Sequence, residues 1–212
     1  MTGQQIITKF QLYTGDQSEL SSTEELDLLN KVYDDVLNAR PWEFLKKGAS
    51  GAITVSGSEA YITMPSDFRY FIENNQKTDN SDVTYNNASQ KVVYVGASYT
   101  PYQVVNWSDR RRYIGQQGYC YPDYTNRKII FTAIPNELTY DFDYIYQWTA
   151  LATNTSPIFP ADFHDMLFHL MAVDSTIINL FEKARSYSKE NQDAADAAMR
   201  KLVYYNSMLT FN

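Results

Sequence analysis

The spacing of apolar residues changes twice along this chain, and those two changes constrain its fold more than any other feature. Between Leu26 and Leu37 the apolar side chains recur every three or four positions (Leu26, Leu29, Tyr33, Val36, Leu37), with Asp27, Lys31, Asp34 and Asp35 on the other faces. That is the pattern of a helix with one buried stripe. From about residue 48 to 150 it gives way to short runs rich in Val, Ile, Thr, Tyr and Phe, which read as strands. After Pro160 the helical spacing returns, in Phe163, Leu167, Leu170, Met171, Ile177, Ile178 and Phe181, and again in Ala194 or Ala195, Ala198, Leu202, Tyr205 and Leu209, where the small alanines would let another helix approach closely. The expectation is an α+β fold: N- and C-terminal helices forming a helical bundle, with a β-rich middle region over residues 48–150. Residues 1–47 and 157–212 form the helical body of a single domain spanning 1–212. Trp42, Phe44, Leu45, Leu167 and Phe181 are its candidate core.

Punctuation refines the elements. A first helix is predicted from Thr2 to Tyr13, stopped by Thr14-Gly15-Asp16. Ser22 followed by Glu25 reads as a capping box for the second helix. Pro41 ends that helix, because the residue before a proline disfavours helical angles. Gly48 and Gly51 bracket a break. Ser56-Gly57-Ser58-Glu59 is a hairpin turn between runs 52–55 and 60–64, and 68–72, 91–95, 128–132 and 140–146 are further strands. Pro135-Asn136-Glu137 is expected to join the last two as a hairpin. Residues 73–87, polar and rich in Asn and Asp, read as a loop or weak hairpin. The C-terminal stripe predicts one long helix to about Lys183, a break at Ser186–Ser188, and a last helix from Lys189 to Leu209.

Composition then narrows the function. The 212 residues carry 18 Lys and Arg against 25 Asp and Glu, a net charge of −7. The excess is spread evenly, with nets of −3, −2 and −2 in residues 1–47, 48–150 and 151–212. A protein whose main task is gripping a nucleic-acid backbone is usually basic. One cysteine excludes an intrachain disulfide framework and suits a reducing compartment. No apolar run approaches the roughly 18 residues of a membrane span, and the first residues lack the order of a signal peptide. Eighteen tyrosines are the one excess. They suit strands, and they suit surfaces that become half buried against a partner.

Chemistry-bearing patterns are sparse. His164 and His169 stand five apart, about 140° around a helix, which does not match the spacing of helical zinc ligands; a surface or capping role is expected. Cys120 reads as a loop thiol with no base placed beside it. Asp141 and Asp143 share a strand face and read as solvated. There is no phosphate-binding loop and no nucleophile elbow. The expectation is a non-enzyme without cofactor or metal. The one basic concentration is Arg110, Arg111 and Arg112, followed by Tyr113, a candidate partner contact. It reads as a contact for an acidic protein, as a loop salt-bridged to Asp109 and Asp123, or as a contact for DNA phosphates.

The order of segments carries a resemblance. An acid-rich helix runs into Arg40-Pro41-Trp42-Glu43-Phe44-Leu45. A hairpin reading ITVSGSEAYITMPSDFRYF follows, then RKIIFTAIPNELTYDFDYIYQ, SPIFPADFHDMLFHLMAVDSTI and KARSYSKENQDAADAAMRKL. In order and spacing, over roughly residues 20–209, this resembles the phage head-to-tail adaptor (connector) family, which includes the tail tubular protein A of short-tailed phages and head-completion proteins. Residues 73–126 are longer and richer in tyrosine than a minimal helical adaptor needs. The resemblance implies a structural virion protein at the head–tail interface, made in the bacterial host cytoplasm. It implies a homo-oligomeric ring, dodecameric, docked on the portal protein, with the 48–150 region projecting toward a downstream tail, nozzle or collar protein. DNA would pass through the lumen without sequence-specific binding. Alternatives are a tail terminator or collar component, a carbohydrate-binding receptor module that stacks sugars on Trp107 or Trp148, and a cysteine hydrolase using Cys120 and His164.

Overall fold

The computed structural model of the protein describes residues 1–15, 19–72, 76–78, 84–86 and 91–209. The chain divides into two compact units, Leu45–Trp148 and the combination of Met1–Phe44 with Thr149–Asn212.

Leu45–Trp148 contains β1 (Lys46–Ala52), β2 (Thr54–Ser56), β3 (Glu59–Thr63), β4 (Phe68–Phe71), β5 (Gln76–Thr78), β6 (Thr84–Asn86), β7 (Val92–Val95), β8 (Thr100–Val104), β9 (Tyr119–Asp123), β10 (Lys128–Phe131) and β11 (Thr139–Tyr146). Nine of them form one sheet in the order β1-β11-β7-β8-β9-β10-β3-β2, with β4 also paired to β11. All pairs are antiparallel except β8–β9, where Val104 lies opposite Cys120. β1 and β2 stand at opposite ends of this order, yet they are one stretch of chain interrupted only at Ile53. The Ile53 N–H donates to the Leu138 carbonyl at 2.8 Å. The sheet therefore nearly closes into a barrel, which removes most of its exposed edge. Side chains alternate along the strands, so every second residue meets in one core: Ile53, Ala60, Ile62, Met64, Val93, Val95, Cys120, Ile129, Phe131, Phe142 and Tyr144 among them. Phe68 packs at one end, with ring centroids 5.0 Å from Phe71 and 5.5 Å from Tyr144.

Met1–Phe44 with Thr149–Asn212 contains α1 (Gly3–Thr14), α2 (Ser22–Asn38), α3 (Asp165–Ala172), α4 (Ser175–Leu180), α5 (Glu182–Ser186) and α6 (Ser188–Leu209). The short α3 packs against α1, α2 and α6. Around it lie Ile6, Phe10, Leu29, Tyr33, Leu37, Trp42, Leu167, Met171 and Leu202, all buried. Polar side chains lock the arrangement. Asn30 both accepts from Leu151 N (2.7 Å) and donates to Leu151 O (3.1 Å). Buried Asn191 donates to the Tyr13 hydroxyl and meets His169 Nδ1 at 2.9 Å. Gly3 lies so close to the 151–155 segment that a Cβ would stand 2.6 Å from the Ala152 carbonyl oxygen.

The expected helical bundle with a β-rich middle is not what the chain forms. The nine-stranded, nearly closed sheet has its own core, and the helices lie mainly toward the two ends of the chain, several of them short. Local expectations are corrected with it. The Gly48–Gly51 stretch is the strand β1, not a break, and it pairs with β11 at seven positions. β10 and β11 are not a hairpin: β10 lies between β9 and β3, and β11 between β1 and β7. The long helix after Pro160 is instead a 3-10 turn (Ala161–Phe163) followed by α3, α4 and α5. Asp174 restarts the chain there by capping α4 through Thr176 N (2.9 Å). The capping box of α2 uses Ser21 and Glu24, one residue earlier than expected; Glu25 is buried and accepts from Gln11 at 2.7 Å. Of residues 73–87, β5 and β6 pair as a short hairpin; the remainder, like Asp16, lies outside the described residues.

Trp42 is fully buried, donates from Nε1 to Val36 O at 2.9 Å and stacks on half-buried Phe44 at 5.4 Å. Trp42→Ala is expected to lower unfolding free energy by about 3–5 kcal/mol in chemical denaturation; an unchanged midpoint would contradict the packing.

His164 is buried, not at the surface. Its Nε2 pairs with Phe159 O at 2.9 Å and its Nδ1 with the Met1 amino group at 2.7 Å. Burial pushes its pKa below the ordinary 6.5. The unfolded chain then binds a proton at a higher pH than the folded chain. Stability is therefore highest above about pH 6.5 and falls as pH drops from there toward the folded-state pKa. His164→Gln is expected to flatten the loss of melting temperature between pH 7 and 5; an equal slope in both proteins would contradict it.

Candidate functional site

The sequence-predicted chemical groups do not assemble into a reactive site. Cys120 lies within β9, not in a loop, and is fully buried, with Sγ 4.0 Å from Tyr102 O. Burial pushes its thiol well above the usual range, so it is held as the thiol rather than the nucleophilic thiolate. His164 spends both ring nitrogens on structural bonds. Among the described residues no three His, Cys, Asp or Glu side chains converge as metal ligands. The clearest ionic cluster is Lys47–Asp67–Tyr144. Lys47 lies 2.6 Å from one Asp67 oxygen, and the Tyr144 hydroxyl donates to the other at 2.7 Å. The Lys47 bond holds Asp67 below the usual carboxylate range, while burial and Asp67 push Tyr144 up to about 12. This cluster ties the 65–67 turn to β1 and β11; it is a fastening, not a reactive centre.

What the molecule does present is surface. The segment between β8 and β9 carries Arg110–Arg112 as one 3-10 turn. Both of its ends are tied to the sheet: Val105 N donates to Cys120 O (2.8 Å), Gly115 N to Thr132 O (2.7 Å), and Thr132 Oγ1 to Gln116 O (2.7 Å). Trp107 is 46% exposed and Ile114 67% exposed. The Arg110 guanidinium lies 3.7 Å from the Trp107 ring centroid and donates to Trp107 O. The far side of this cluster is aromatic as well, with Tyr121 5.5 Å from Trp107 and Tyr113 4.2 Å from Tyr119. Arg111 and Arg112 are exposed and have no ion-pair partner among the described residues. The expected salt bridges to Asp109 and Asp123 do not form. The Asp123 carboxylate instead accepts from Asn126 N and Nδ2, which hold it below the usual range. So the triplet and Tyr113 form a fixed basic and aromatic face. Arginine, tryptophan and tyrosine are the residues most enriched where proteins bind proteins.

The helical unit has a second surface, on the alanine face of α6 where the sequence suggested room for another helix to approach. Ala194, Ala197 and Ala198 of α6 line a groove of about 470 Å³, with Phe163, Tyr204, Tyr205 and Met208 around it and Asp162 and Lys201 as its charged members. Tyr204 is 69% exposed. The signal lay in the run of alanines, whose small side chains leave room on the helix face. The named core residues fall as follows: Trp42, Leu45 and Leu167 fully buried, Phe181 nearly so, Phe44 half-buried.

The tryptophans offered for sugar stacking are otherwise engaged. Trp148 is buried with the Arg69 guanidinium 4.0 Å from its ring centroid, and Arg110 occupies a face of Trp107. No helix among the described residues is long and apolar enough to cross a membrane.

Residues 1–209 match the family model described as SU10 adaptor protein. No curated protein matches the chain.

Proposed function

The chain belongs to the SU10 adaptor protein family, and from that membership we propose that it forms a ring joining the portal of a DNA-filled phage capsid to the tail. Its role as a phage adaptor is structural, as the family is. The observation that carries the reading is the match over residues 1–209, nearly the whole chain. The finer statements are ours: a closed ring of twelve copies, docking on the portal above and on a tail, nozzle or collar protein below, in a virion assembled in the bacterial cytoplasm.

Physical features support this reading. A closed ring uses head-to-tail contacts, so each copy needs two different and complementary patches. The basic and aromatic face around Arg110–Arg112 and the apolar groove on α6 are different surfaces, and both expose large side chains. The net charge of −7 suits a channel wall that repels phosphates, so that DNA slides without sticking. Engaged tryptophan faces count against the sugar-binding alternative, and the buried thiol counts against a cysteine hydrolase.

The direct experiment is negative-stain imaging of the protein mixed with the portal ring encoded by the same genome. A second ring stacked on the portal is expected. A bare portal beside free monomers, at concentrations well above micromolar, would overturn the reading.

A further inference from the structure

The ring reading asks which surfaces of neighbouring copies meet, and charge complementarity within the chain answers it. Arg111 and Arg112 are exposed cations beside exposed Trp107 and Ile114, on a segment fixed at both ends to the sheet. Among the described residues no acidic side chain pairs with them: Glu59 bonds Lys128 at 3.1 Å, Asp123 bonds Asn126, and Asp109, just before the triplet, forms no ion pair with it. The two arginines thus face outward with their charge unmatched. A matching anionic surface exists on the same chain. Glu24, Asp27, Lys31 and Asp35 are all exposed and lie within about 80° of one another around α2, opposite its buried stripe. The stripe runs roughly 16 Å along the helix, at 1.5 Å per residue. Its one cation, Lys31, is engaged by Asp174 at 2.5 Å. The Ser21 hydroxyl hydrogen bond holds the Glu24 carboxyl below its ordinary range, so that end of the stripe stays charged.

We propose that the Arg111–Arg112 face, with Trp107 and Ile114, docks on the acidic outer face of α2 of the next copy. This rests on the ring reading and gives it one of its contacts. The occupant is a second copy of this chain. DNA is the weaker match, because two unmatched arginines release few counterions and the remaining surface is acidic. The contact is head-to-tail by construction, since the two patches differ, and it can propagate around a ring. The arginines set orientation and encounter, while Trp107 and Ile114 supply the apolar area.

Engineered disulfides test it, because the sole native thiol, Cys120, is fully buried and silent. Arg111→Cys and Asp35→Cys are made singly and together, and oxidised gently, free and on the portal. The expected result is no covalent dimer from either single variant, a heterodimer when the two are mixed, and a ladder of rungs from the double variant. In parallel, R111E/R112E is expected to weaken assembly on the order of tenfold or more, and adding D27K/D35K to the same chain is expected to restore it. Rings that assemble without a ladder, or a single variant that cross-links to itself, would overturn this contact and leave the ring reading standing. No assembly of the native chain, free or on the portal, would overturn both. Unfolding of a variant is detected by its melting temperature. In that case the Arg112→Cys and Asp27→Cys pair carries the same test and the same outcomes.

Discussion

The closure of the sheet depends on one stretch of chain, Lys46–Ser56, which serves both ends of it. Its first seven residues pair with β11 and its last three with β3, with Ile53 bonded to Leu138 O between them. Without this double service the order β11-β7-β8-β9-β10-β3 would be an open sheet with two edges, each a template for non-specific pairing. Closing it sets the curvature that gathers Ile62, Val93, Cys120, Ile129, Phe131 and Phe142 into one core. It also fixes β8 and β9, and therefore the Arg110–Arg112 turn between them. A loop carried on so many sheet hydrogen bonds can present charged side chains without first having to order them, which lowers the entropy cost of binding.

The helical unit reaches the same end by other means. Its short α3 is surrounded by α1, α2 and α6, and specific polar bonds set their register: Asn30 to the Leu151 backbone, Asn191 to Tyr13 and His169, Asn206 to Glu43 N at 2.6 Å. Buried amides of this kind cost stability if left unpaired, so they favour one arrangement over its neighbours. What the two units leave exposed is a basic face, an acidic helix face and an apolar groove. None of these does covalent chemistry. All of them suit assembly, as expected of an SU10 adaptor family member.

Much of this was legible in the sequence, and the failures have physical causes. The strands with strong β-formers (Ala60–Met64, Val92–Val95, Lys128–Phe131, Tyr140–Tyr146) were readable because they are short runs of β-branched and aromatic residues. β1 was not, because KKGASGA has no β-branched residue; its conformation comes from pairing with β11, and Gly51 leaves the room that the Tyr140 ring fills at 3.3 Å from where a Cβ would stand. β8 and β9 were obscured by Pro101 and Pro122, which depress strand propensity. Barrel closure is a long-range property that no local pattern carries, and it turned the expected bundle with a β middle into a separate β architecture. The long C-terminal helix failed because an apolar stripe continues in phase across Asp174, where a side-chain cap restarts the chain. The arginine triplet was visible as a cluster; its lack of ion-pair partners was not, since Asp123 spends its carboxylate on Asn126.

We propose that this protein acts through its surfaces, by assembly around a channel. Hydrogen exchange of the free protein against the protein assembled on its portal tests that most directly. New protection is expected in the segment around Arg110–Ile114 and along α2 and α6, with the barrel core unchanged. Unaltered exchange on all three surfaces in a stable complex would contradict it.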